Sequence, residues 1–152
     1  MPAQLRRNRL RLLALCGLCF FVGAPAFGGD PPPDFRVIVN ASRSEVLLTR
    51  EFLTDAFLKN VTRWPDDQPL QPVDQKGDTH ARRKFSETVL KRSVQAVKTH
   101  WQQRIFSGRG VPPPELDSDE AVVRYVEARP GAVGYVSGSA ALGKTRVVAV
   151  KH

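Results

Sequence analysis

Residues 117–136 read DSDEAVVRYVEARPGAVGYV, and this stretch decides the fold class. Ser118 is a typical helix N-cap, and the two acids that follow it favour a first helical turn. Valines at 122, 123 and 126 recur at helical spacing, which predicts a buried face. Pro130-Gly131 ends that helix, and the apolar run 132–136 then predicts a strand. A helix that leads directly into an apolar strand is typical of a layered α/β domain.

Outward from this unit the same alternation continues along the chain. The second helix is expected to follow Lys76-Gly77-Asp78, and the third is expected to bury Ile105 at the end of an apolar stripe. Pro72 predicts an edge position or a strand start for the short strand that contains it. The further predicted elements are strands at 35–39, 71–74 and 145–150, and helices that begin at Thr49, after Asp78 and at Ser93.

The N-terminal 26 residues have the pattern of a secretory signal peptide. Four arginines between positions 6 and 11 precede an apolar run at 12–22, and Ala24-Pro25-Ala26 is a small-x-small cleavage site. The apolar run is shorter than the 20 or so residues that span a bilayer. We therefore expect cleavage near Ala26, a Pro/Gly-rich tether at 27–34, and a domain at 35–152 in the periplasm or secreted. An uncleaved N-terminal anchor is the alternative.

The remaining 126 residues suit one domain with its own core. Both cysteines, Cys16 and Cys19, lie in the leader, so the exported domain has neither disulfide nor thiolate. The formal charge of +8 includes four leader arginines and falls to +4 without them. This balance does not indicate nucleic-acid binding, and no membrane span is expected after cleavage.

An ordered set of segments carries a resemblance to a known family. The most specific are Arg63-Trp64-Pro65-Asp66 and Pro130-Gly131-Ala132-Val133-Gly134-Tyr135-Val136. The others are Leu48-Thr49-Arg50-Glu51-Phe52, Ala56-Phe57-Leu58, Phe85, Val89-Leu90, Trp101 and Phe106-Ser107-Gly108-Arg109-Gly110. Together they resemble the substrate-binding proteins of phosphate ABC transporters, and more closely the short periplasmic proteins with only part of that fold. The resemblance covers nearly all of residues 35–150.

The resemblance implies an α/β fold: a single lobe of a type II periplasmic-binding-protein-like domain, with a small mixed sheet flanked by helices. Full-length members hold phosphate in a cleft between two lobes. Their oxyanion contacts come from a loop reading roughly Arg-x-x-Gly-Ser-Gly-Thr at a helix start, and residues 74–81 correspond to it. Thr79 falls near the family's serine, but the motif arginine is absent and Asp74 lies near its place. Lys59 stands where the family often has glycine before the tryptophan turn.

The start of the second helix is therefore the first candidate site for a small oxyanion such as phosphate. A helix N-terminus offers unpaired N–H groups and partial positive charge. Thr79, His80 and Arg82 fall in or beside its first turn, and Arg82 could pair with an oxyanion bidentately. In the alternative interpretation Asp78 caps the helix, its carboxylate repels anions, and Arg82 belongs to a solvated face.

Ser42 follows the first predicted strand and is the other candidate ligand-binding residue, because ligands gather at the carboxyl ends of strands. In the alternative interpretation, Ser42 is an ordinary turn residue. The three histidines show no spacing typical of metal sites, and no catalytic motif or cofactor motif is present. The sequence thus predicts a non-enzymatic ligand-binding module. The alternative is an envelope protein-interaction module that keeps the fold without ligand binding. Convergence of Thr79, Arg82 and Ser42 on one concavity would favour ligand binding.

Overall fold

A computed structural model describes residues 33–44 and 47–151. The expected leader at 1–26, its cleavage site at Ala26 and most of the tether lie outside the described residues.

The fold is a mixed α/β arrangement with four helices and one main sheet among the described residues. The helices are α1 (Arg50–Phe57), α2 (His80–Thr88), α3 (Val94–Phe106) and α4 (Asp119–Glu127). The strands are β1 (Phe35–Val39), β2 (Leu47–Thr49), β3 (Gln71–Pro72), β4 (Asp74–Gln75), β5 (Glu115–Leu116), β6 (Ala132–Ser137) and β7 (Arg146–Lys151).

The main sheet has the strand order β2-β7-β1-β6-β3. β1 lies in the middle and pairs antiparallel with both β6 and β7, whereas the outer strands β2 and β3 pair in parallel with their neighbours. A separate two-stranded parallel pair joins β4 to β5. The mixed sheet flanked by helices confirms the predicted fold class.

Helices cover the main sheet on both faces. One face packs against α1, α2 and α3 through residues such as Val37, Phe57 and Phe85. The other face packs Ile38 and Val136 against the three valines of α4. The valine spacing of residues 117–136 therefore has the predicted role, because it seals the second face of the sheet.

The two most specific sequence motifs contact each other. The indole N–H of Trp64 donates to the Gly131 carbonyl over 2.9 Å, and the same carbonyl accepts from the backbone N–H of Gln71. A Cβ at Gly134 would lie 2.8 Å from Val73 and 2.9 Å from Val122, so only glycine lets α4 approach the sheet this closely. Trp64 is buried and packs in the core.

Three local predictions need correction. The expected strand at 71–74 is split, because Gln71–Pro72 joins the main sheet while Asp74–Gln75 pairs with β5. The N-cap of α2 is Thr79, which excludes the alternative interpretation in which Asp78 caps this helix. Ile105 is 51% exposed and does not continue the buried stripe of α3.

Candidate functional site

The Thr79 hydroxyl accepts one hydrogen bond and donates another at the start of α2. The oxygen accepts from the backbone N–H of Arg82 at 3.1 Å, and the hydroxyl donates to the side-chain oxygen of Gln75 at 2.7 Å. Thr79 has the extended backbone of an N-cap, whereas Asp78 forms an ion pair with Arg83 at 3.4 Å. The residue that resembles the family's oxyanion-binding serine is thus engaged within the protein.

His80 is exposed at the start of α2. Its Nε2 lies 2.7 Å from a carboxylate oxygen of Asp34, just before β1. The hydrogen bond from His80 lowers the pKa of Asp34. His80 therefore already has an anionic partner, which competes with any bound oxyanion.

Arg82 is not on a solvated face, since its side chain is only 2% exposed. Its guanidinium donates to Glu115 at 2.6 Å, to Asp74 at 3.2 Å and to the carbonyl of Gly77 at 3.1 Å. The two carboxylates neutralise it and tie α2 to β4 and β5. The sequence indicated either an oxyanion contact or a solvated position for Arg82, and neither describes this buried role.

Asp74 and Tyr135 complete the buried network around Arg82. The Tyr135 hydroxyl and the backbone N–H of Gln75 both donate to the Asp74 carboxylate. Burial raises the pKa of Asp74, while the charge of Arg82 and the bond from Tyr135 oppose that shift. Burial and the charge of Asp74 together raise the pKa of Tyr135. Asp74, near the place of the family's arginine, thus makes an internal ion pair.

A concavity of about 340 Å³ lies between the N-termini of α2 and α4, and we call it the α2–α4 pocket. It combines the loop that the resemblance singled out with the start of the helix in residues 117–136. Its lining residues are Gln75, Thr79, His80, Ala81, Asp117, Ser118, Asp119, Glu120 and Ser137.

Hydrogen bonds within the protein occupy the polar groups that line this pocket. One oxygen of Asp119 accepts from the Gln75 side chain at 2.7 Å and from the backbone N–H of Ser137 at 3.0 Å. Its other oxygen accepts from the Ser137 hydroxyl. The Ser118 hydroxyl accepts from the first turn of α4. A ligand that binds these side chains would therefore have to replace internal hydrogen bonds.

The charge of the α2–α4 pocket is predominantly acidic. Asp117, Asp119 and Glu120 all line it, and Asp117 pairs with Lys76 at 3.2 Å. Bonds to its own backbone N–H and to Ser118 lower the pKa of Glu120, so this group is ionised at neutral pH. Because like charges repel at short range, the lining opposes a phosphate dianion despite the two helix N-termini.

Ser42 lies at the opposite end of β1 from this pocket. The first residue of β1, Phe35, pairs with Ser137 at the pocket, whereas Ser42 comes three positions after the last residue, Val39. Five strand residues separate the two ends by roughly 13 Å or more. The structure brings Thr79 and His80 to the pocket, buries Arg82 behind the loop, and leaves Ser42 apart.

Asn40, in the turn after β1, bonds to the C-terminal end of α4. Its side-chain amide donates to the carbonyls of Val126 and Glu127 at 2.8 and 2.9 Å, at the end of α4. Its oxygen accepts from the backbone N–H and hydroxyl of Ser42. Asn40 therefore caps a helix C-terminus, and Ser42 supports that cap.

The described part of the chain contains neither a candidate metal site nor a candidate membrane span. No group of three or more histidine, cysteine or acidic side chains in residues 33–44 and 47–151 could hold a metal ion. Within the same residues, no helix has the length and apolar character needed to cross a membrane.

Comparison with known proteins defines the fold. No protein-family model and no curated protein sequence matches this chain. Among solved structures it is similar to an ABC-type phosphate transport receptor from Vibrio cholerae, with a TM-score of 0.60, 18% identity, and coverage of 77% of this chain and 46% of that one. A phosphate ABC transporter substrate-binding protein from Clostridium perfringens, solved with bound phosphate, gives a TM-score of 0.61 at 18% identity, covering 77% and 44%. PstS from Borrelia burgdorferi gives 0.58 at 10% identity, covering 78% and 47%.

The chain spans less than half the length of each of these solved chains. At such low identity the likeness defines the fold alone. The fold of this protein is therefore that of a partial lobe of the periplasmic-binding-protein-like phosphate transporter substrate-binding proteins, as the sequence motifs had predicted.

Proposed function

We propose that this chain is an exported, non-enzymatic binding module that docks onto another component of the cell envelope instead of carrying phosphate. It keeps one lobe of a ligand-binding fold as a stable scaffold. Its place of action is the periplasm or the outside of the cell, as the leader pattern at residues 1–26 predicts.

The proposal rests on the acidic, internally hydrogen-bonded lining of the α2–α4 pocket. Asp117, Asp119 and Glu120 line the concavity, and internal partners already occupy Thr79 and His80. An oxyanion site needs donors that are free and correctly placed, with little negative charge nearby. A pocket whose side-chain donors are paired internally and whose walls are acidic favours a structural role for these residues.

Calorimetric titration with phosphate at pH 7.5 and low salt tests the proposal. We expect the protein to give no saturable heat up to millimolar phosphate, a range in which binding is worth about 4 kcal/mol or less. The combined variant Asp117→Asn and Glu120→Gln should bind phosphate better than wild type, because it removes two repulsive charges. Saturable heat in wild type that disappears in His80→Ala, but not in the exposed-site control Lys98→Ala, would contradict the proposal.

Binding of phosphate or another small oxyanion at the α2–α4 pocket is the second candidate function. Two observations favour it: the fold of the solved phosphate receptors, and the two helix N-termini that flank the concavity. The first-turn amides of His80 and Ala81 precede Arg82 and have no carbonyl partner within α2. This candidate predicts the opposite titration result for wild type, which is saturable heat that disappears in His80→Ala.

A further inference from the structure

The end of α3 and the loop after it expose three large apolar side chains. Phe106 is 91% exposed, Val111 is 64% exposed and Ile105 is 51% exposed. We call residues 105–111 the α3 tip. Phenylalanine usually buries most of its surface, so a fully exposed ring at a helix end indicates an interaction surface more strongly than a scattered leucine would.

The backbone fixes Phe106 on the outside of the molecule. Gly108 and Gly110 have positive φ angles of 65° and 134°, which turn the chain back immediately after the helix. The backbone N–H of Arg109 donates to the carbonyl of Arg104 at 2.9 Å. Arg104 in turn donates to the carbonyls of Arg109 and Leu58 at 3.2 and 3.4 Å. The ring thus projects from an anchored turn.

Basic residues accompany the exposed apolar groups. Residues 88–114 contain five lysines and arginines and no aspartate or glutamate. Arg104 and Arg109 lie within or beside the tip, and the Lys59 ammonium reaches the Pro112 carbonyl at 3.5 Å. Arg104, Arg109 and Lys59 therefore place positive charge beside the exposed apolar side chains, in contrast to the acidic α2–α4 pocket.

We propose that the α3 tip docks the protein onto a membrane surface that displays anionic lipid headgroups, with Phe106 entering the interfacial layer. Aromatic rings favour the headgroup region, and nearby lysines and arginines are attracted to anionic lipids. A lipid surface accepts a projecting ring without a matching pocket, and a single amphipathic segment with basic residues is sufficient for reversible binding. This inference rests on the proposed docking role and names its surface and partner.

Vesicle sedimentation tests the inference with protein purified from the periplasm or medium of an expressing bacterium, its N-terminus read by mass spectrometry. The vesicles are phosphatidylcholine alone, or phosphatidylcholine mixed with phosphatidylglycerol. We expect binding to the anionic vesicles that weakens with salt. Phe106→Ser should bind about tenfold more weakly or worse, because the ring no longer leaves water. Arg109→Ala should bind about fivefold more weakly.

Leu47→Ser is the matched control, because Leu47 is 52% exposed on β2 and outside the α3 tip. It should bind anionic vesicles like wild type. Phe106→Trp supplies an independent readout, since Trp64 and Trp101 are buried, and its emission should shift to the blue on binding.

Two results would overturn the membrane inference. One is equal binding by wild type and Phe106→Ser; the other is the absence of binding to either vesicle, which would move the docking partner to a protein. Neither result decides the phosphate titration. Phosphate binding in that titration would overturn the proposed function and leave the vesicle result unchanged.

Discussion

The α2–α4 pocket and the α3 tip have opposite chemistry. The pocket is concave, acidic and internally hydrogen-bonded, and Arg82 behind it is buried between two carboxylates. The tip projects, is apolar and basic, and exposes Phe106 almost completely. Where the family resemblance predicts a ligand, the polar side chains are thus bonded within the protein. Phe106, the most exposed of the large apolar side chains in residues 33–44 and 47–151, lies where no ligand was expected. A ligand-binding fold alone therefore does not locate the surface that binds.

The largest expected effect tests whether the pocket side is structural. Arg82→Ala should reduce the free energy of unfolding by about 3 kcal/mol, because it leaves the Asp74 carboxylate buried without its cation. We place the value at the lower end of the usual range because Glu115 is 39% exposed. Urea denaturation measures the change, with the exposed neighbour Arg83→Ala as the control.

A loss below about 0.5 kcal/mol in Arg82→Ala would contradict a structural role for Arg82, because its guanidinium would then be available to bind a ligand. Arg83→Ala should itself remain within that limit.

A smaller effect separates the two residues of the turn after β1. Asn40→Ala should cost about 2 kcal/mol, since it removes two hydrogen bonds from the end of α4. Ser42→Ala should change stability by less than about 0.5 kcal/mol, because Ser42 is exposed and only supports Asn40. Thermal denaturation of the two variants compares them directly. A larger loss for Ser42→Ala would contradict the assigned roles.

The smallest expected effect is the pH dependence of the Asp34–His80 pair. The hydrogen bond from His80 lowers the pKa of Asp34 in the folded protein below its ordinary value, so the pair stabilises the fold at pH values above that ordinary pKa. This contribution is lost as pH falls through the lowered folded pKa. The stability difference between wild type and Asp34→Asn should therefore be present at neutral pH and should shrink as the pH falls through the acid range in which Asp34 is protonated. A difference that persists at the acid end would exclude this origin.

Features that depend on residues close together in the chain were predictable from the sequence. The valines of α4, the helix starts at Thr49, Ser93 and Ser118, and the helix end before Pro130-Gly131 follow from helical spacing and capping. Each depends on residues within one element and its immediate neighbour. The segments at 48–52 and 130–136 also carried the family resemblance, which the solved neighbours confirmed for the fold.

Features that depend on contacts between residues far apart in the chain were not predictable from the sequence. Arg82 is buried by Glu115, 33 positions away, and by Asp74 in a strand that changes sheets after Pro72. Ile105 lies on the apolar stripe by periodicity, but α3 extends beyond the core it packs on. The absence of acids in residues 88–114 was visible in the sequence and could have identified the α3 tip.

Nuclear magnetic resonance of the ¹⁵N-labelled exported protein tests the central claim most directly, because one titration reports on both regions. We expect bicelles containing phosphatidylglycerol to shift the backbone amides of residues 105–111, and millimolar phosphate to leave those of 79–82 and 118–120 unchanged. Saturable phosphate shifts at the start of α2 and α4, with an α3 tip indifferent to the bicelles, would contradict the account.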